Sequence, residues 1–124
     1  MSESESRQLA AMIIDWGLSK KAEDIVLLDV RGLSDVTDYF VLMTGSSQIH
    51  VHAITDAILD GSIEAGNKPL HVEGRDLGRW VLIDFVDVVT HVMQEDARRF
   101  YALERLWGDA SFTRFDESGA EVTE

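Results

Sequence analysis

Cysteine is absent from this 124-residue chain, which excludes disulfides, thiolate nucleophiles and cysteine-bound zinc together. Cations are scarce as well: 11 Lys and Arg stand against 23 Asp and Glu, a formal charge of −12. A field of that sign repels polyanions, so no direct contact with nucleic acid is expected, and it steers the chain towards a basic partner. No apolar run approaches the roughly 20 residues of a membrane span. The opening MSESESRQLA lacks the cationic start and apolar core of a secretory signal, and the arginine bias of a transit peptide. A cytoplasmic protein is the expectation. What remains is an ordinary folding composition, 45% apolar and 27% charged, in a chain long enough for one core and short for two.

The apolar pattern divides that chain into short elements. Leu9, Met12, Ile13 and Trp16 fall on one helical face, with Ser6 as the expected cap and Gly17 as the expected end. Ile25 to Val30 reads as a mostly buried strand, and Tyr39 to Met43 as a second that pairs with it antiparallel. From Ser47 the spacing of Val51, Ile54 and Ile58 is helical until Gly66-Asn67 and Pro69 stop it. Leu70 to Val72 then forms a short strand, so strand, helix and strand predict a right-handed βαβ unit in a mixed sheet. Trp80 to Asp84 and Asp87 to Met93 form a tight hairpin. Glu95 opens a last helix that runs to Trp107 and closes at Gly108. Residues 1–108 read as a single domain and 109–124 as a polar, mobile tail.

Chemical motifs are few. Thr44-Gly45-Ser46-Ser47 joins a strand to a helix, a place where backbone amides can bind an anion. Yet the chain has neither G-x-x-x-x-G-K-[ST] nor G-x-G-x-x-G, and the next acids, Asp56 and Asp60, lie at helical spacing inside the following helix. A capped helix start is the simpler reading. His50 and His52 sit two apart on that helix, facing nearly opposite ways, so they are not expected to share a metal ion. Asp84 and Asp87 flank a turn and read as turn acids before they read as an acid–base pair. No catalytic residue, metal or cofactor is expected.

The hairpin carries more information. Alternation places Trp80, Leu82 and Asp84 on one side of their strand and Val81, Ile83 and Phe85 on the other, and both sides are apolar. Either helices cover both, or a tryptophan-led surface ringed by acids is left for another protein. In the last helix Phe100, Leu103 and Trp107 form a core stripe, leaving Tyr101 and Leu106 to project beside the hairpin.

Four ordered blocks, AEDIVLLDV, TDYFVLMTGSSQIHV, the VEG…WVLIDFVDVVTHV region and QEDARRFYALERLWGD, make the chain resemble the ribosomal silencing factor family, also called Iojap-like. The resemblance implies an α/β fold with a mixed sheet of about five strands flanked by helices, nucleotidyltransferase-like in topology but without the catalytic carboxylates. It implies a translational repressor that binds ribosomal protein uL14 on the large subunit and sterically blocks joining of the small subunit when nutrients fall. It also implies homodimers in many members. Partner contact is assigned by the resemblance to Trp80, Leu82, Asp84, His91, Tyr101 and Leu106, with Trp107 a candidate for tying the helix to the sheet. The alternative is a residual nucleotidyltransferase-like protein that binds nucleotide. Two positions depart from the family pattern. Val86 stands where glycine is usual, and because a β-branched residue disfavours positive φ, a longer or differently shaped turn is expected. Thr90 replaces an apolar residue.

Overall fold

A computed structural model describes the backbone of residues 3–101, 108 and 110–122, and the side chains of 5–99, 108 and 110–122. The elements run α1 (Glu3–Leu18), β1 (Glu23–Asp29), β2 (Tyr39–Gly45), α2 (Gln48–Glu64), β3 (His71–Glu73), β4 (Trp80–Asp84), β5 (Val88–Gln94), α3 (Glu95–Tyr101), β6 (Ser111–Phe115) and β7 (Glu121–Val122). The strands make one mixed sheet in the order β3-β4-β5-β2-β1-β6-β7. The fold is α/β, as the patterning predicts.

β2 and β5 are parallel, and every other neighbouring pair is antiparallel. The return strand of the β2–α2–β3 crossover therefore runs with β2, but it lies at the sheet edge with β4 and β5 between them. β5 takes the inner place because Val88 to Met93 are all buried. A strand apolar on both faces needs cover on both.

Three expectations are corrected. The helix α1 begins at Glu3 rather than at a cap on Ser6. Ser6 is fully buried inside it, and its hydroxyl donates to Asp38 Oδ2 at 3.1 Å, so an apparent cap serves as a tie to the β1–β2 loop. The sheet has seven strands rather than about five, because residues past 108, read as a polar tail, supply β6 and β7. Val26 to Leu28 are buried in β1, and a second neighbour occupies the edge that β2 leaves open, Ile25 opposite Phe115 and Leu28 opposite Phe112. An apolar strand with one bare edge would offer its amides to other chains. Third, the β4–β5 turn is tight, as the hairpin reading has it, and is not lengthened by Val86, which itself adopts φ 75°; the departure is one of shape. The Asp87 amide donates to the Phe85 carbonyl at 3.0 Å across it, a three-residue γ-turn. The expected run of the last helix to Trp107 falls on 102–107, outside the described residues.

The two faces of the sheet differ in cover. On one, Val41, Met43, Val81, Ile83, Val88 and Val92 pack under α1 and α2 with Leu9, Ile13, Val51, Ile54 and Ile58. Gly17 lets α1 approach closely, since a Cβ there would meet the Met43 sulfur at 2.5 Å. On the other face a smaller cluster of Val26, Leu28, Val30, Leu42 and Met93 is capped by Ala97 of α3 and by Ala110, with Phe40 and Trp80 partly buried at its margin.

Candidate partner-binding face

Strand β4 alternates half-buried and buried residues along its five positions. Val81 and Ile83 point under the helices, so Trp80, Leu82 and Asp84 stand on the other side. Register carries the pattern across: Trp80 is opposite Met93, Leu82 opposite His91, and Asp84 opposite Val89. Four of the six residues expected to touch a partner therefore meet on two adjacent strands. Tyr101 ends α3 as described, which follows β5 directly, though its side chain lies outside the described residues. Leu106 and Trp107 lie outside them altogether.

His91 sits at the centre of this face. The residue is 6% exposed, and burial pushes its pKa down to about 4, so the ring is neutral at pH 7. The Trp80 indole Nε1–H donates to His91 Nδ1 at 2.8 Å. The rings of Trp80 and Phe40 lie tilted to either side of the imidazole, with centroids 5.7 and 5.6 Å from it. Phe40 was missed by sequence reasoning. The signal was available, because alternation along Tyr39 to Met43 puts Phe40 and Leu42 opposite Tyr39 and Val41.

Asp84 has a local duty. Its Oδ1 accepts from the Val86 amide at 2.7 Å, and its other oxygen lies 3.7 Å from His71 Nδ1. The carboxylate thus helps hold Val86 in its unfavourable conformation. It presents only part of itself to a partner.

The Gly45-Ser46-Ser47 junction is occupied by the chain's own side chains. Ser47 caps α2, its hydroxyl accepting from the His50 amide at 3.1 Å. The Ser46 amide donates to His50 Nδ1 at 2.8 Å, and His50 Nε2 lies 2.7 Å from the Lys20 carbonyl. An amide that a phosphate would use is already satisfied by imidazole. His52 turns elsewhere, with Nε2 2.6 Å from the Arg75 carbonyl, so the two histidines diverge as their spacing predicts. Among the described residues no three His, Asp or Glu side chains are grouped to hold a metal ion.

Comparison with known proteins agrees with this architecture. The family model described as ribosomal silencing factor during starvation matches residues 3–124. The chain is 43% identical over 116 residues to the ribosomal silencing factor RsfS of Bacillus subtilis, covering 94% of this chain and 96% of that one. It is 30% identical over 114 residues to the mouse protein named mitochondrial assembly of ribosomal large subunit protein 1, covering 90% of this chain and 49% of that one. A crystal structure of a Chromobacterium violaceum protein superposes with a TM-score of 0.79 at 35% identity, covering 87% of this chain and 88% of the other.

Proposed function

Because the chain belongs to the ribosomal silencing factor family, we propose that it represses translation by binding ribosomal protein uL14 on the large subunit and excluding the small subunit sterically. The repression damps protein synthesis when nutrients are limiting. One observation carries the choice of surface: Trp80, Leu82 and Asp84 lie half-buried on the side of β4 away from α1 and α2, beside the Trp80–His91 hydrogen bond. Aromatic anchors flanked by a charged rim are what tight interfaces use. Tyr101 and Leu106 complete the proposed contact from the end of α3 and the segment after it.

Exclusion of this kind needs affinity and placement, and no bond is made or broken. The charge of −12 favours a basic ribosomal protein and disfavours ribosomal RNA, and it makes association sensitive to salt. No helix among the described residues is long and apolar enough to cross a membrane, and action on ribosomes in the cytoplasm fits the reading. Homodimer formation belongs to the same proposal. The alternative of a residual nucleotide-binding protein has less to stand on, since His50 takes up the junction amide.

The test is sedimentation with purified subunits. The protein is expected to travel with large subunits and not with small ones, and to reduce their joining. Trp80→Ala should weaken binding at least tenfold, as loss of an aromatic anchor does, with the fold retained. Unchanged subunit joining at saturating protein would refute the proposal.

A further inference from the structure

The two ring nitrogens of His91 stand in different surroundings. An indole N–H can only donate, so Nδ1, which receives it at 2.8 Å, must present its lone pair. The neutral ring then carries its proton on Nε2. That Nε2–H has no hydrogen-bond partner among the described residues. Among the described residues the unpartnered side-chain polar atoms that are sealed from solvent are Thr55 Oγ1 and Thr90 Oγ1; His91 Nε2 is not one of them, and the 6% of the residue that stays exposed leaves it a way to the surface. Phe40 and Trp80 wall the ring, and Leu82 is its cross-strand neighbour. The result is a nearly buried donor looking outward between aromatic walls.

We propose that His91 Nε2–H is a specificity-determining donor of the partner-binding face, that it meets a neutral carbonyl oxygen of the partner protein's backbone, and that Trp80 positions it by holding the tautomer. This rests on the reading that the face binds a ribosomal protein. A cation is excluded at this point because an N–H presents its positive end. An anion is disfavoured by the −12 charge and by Asp84 on the neighbouring strand. A partner that covers the face without supplying an acceptor would strip water from Nε2–H and leave it unmet, and such a donor lowers affinity about tenfold to a hundredfold.

Nitrogen-detected NMR of the imidazole in the unmodified protein reads the tautomer directly, with Nδ1 expected bare and Nε2 protonated. A protonated Nδ1 would overturn the proposal whatever the variants do. Sedimentation titrations on large subunits then compare His91→Phe, His91→Gln, Trp80→Phe and Leu82→Ala. His91→Phe should bind about tenfold or more weakly, while His91→Gln, whose amide nitrogen reaches the Nε2 position, should recover most of the loss. Trp80→Phe should weaken binding and mix the His91 tautomers, an effect that packing alone would not produce. If His91→Phe binds like wild type while Leu82→Ala binds weakly, the donor role is wrong and the face reading stands. If wild-type protein does not sediment with large subunits, both fall.

Discussion

The two faces of the sheet draw on the same kinds of residue and put them to different use. Under α1 and α2, Ile54, Ile58, Val81, Ile83 and Val92 are fully buried; the buried serines Ser6 and Ser62 are hydrogen-bonded, and among the described residues the sealed side-chain atoms left without a partner are the hydroxyls of Thr55 and Thr90, on α2 and β5. On the other face the cluster under α3 is smaller, and Trp80, Leu82 and Phe40 are half-buried around a histidine whose outer nitrogen has no hydrogen-bond partner among the described residues. A core tolerates little polarity because nothing outside can satisfy it. A recognition face keeps polarity in reserve for a partner. The difference between the faces lies in cover, and cover follows from where the connections send each helix.

That contrast can be broken by mutation. The largest effect is expected from Ile83→Ala on the covered face, a loss of about 2–5 kcal/mol in urea unfolding, against roughly 1 kcal/mol for Leu82→Ala on the open one. Equal losses would mean that both faces are core. Next is acid. The folded His91 pKa of about 4 lies below the ordinary value near 6.5, so the unfolded chain binds a proton in that interval and the folded one does not. Stability should then be full above about pH 6.5 and fall by up to about 3 kcal/mol as pH drops to 4. Thermal melts of His91→Gln should give a flatter profile between those values. The smallest effect is at the seam, the β4–β5 turn. Val86 holds φ 75° while half exposed, so Val86→Gly should relieve a strain of about 1–2 kcal/mol, offset in part by the freedom glycine adds to the unfolded chain. A net gain of about 0.5–1 kcal/mol in denaturant titration is expected.

How far the sequence carried each element depended on how local its cause was. The helix α2 was legible at both ends, because Ser47 caps it through its own hydroxyl and the Val51, Ile54, Ile58 stripe needs no distant partner to be seen. That Trp80, Leu82 and Asp84 form one row of β4 was legible from alternation, whereas the half exposure of that row was not. Strands β6 and β7 were not, since Ser111 to Phe115 is short and mixed in polarity, and its reason for being a strand is the open edge of β1. Ser6 has the sequence signature of a cap and is instead a buried tie to Asp38. Val86 was expected to lengthen or reshape its turn, and the turn keeps its length with the shape of a γ-turn. The hydrogen bonds of Asp84, Phe85 and Asp87 hold it in place despite its side chain.

The candidate site divides in the same way. Trp80, Leu82 and Asp84 could be put on one face by period alone, but the meeting of Trp80 with His91 depends on register across β4 and β5, and Phe40 joins them only because β5 lies beside β2.

By itself the sequence determined which residues are apolar and at what period, hence the elements up to α3, the charge and the absence of thiol chemistry, because those properties reside in each residue and its near neighbours. Tertiary structure alone decided the strand order, the face left open and the proton position on His91. Each of these is set by contacts between segments far apart in the chain, where the free energy of an arrangement depends on what is brought alongside and on what is left uncovered.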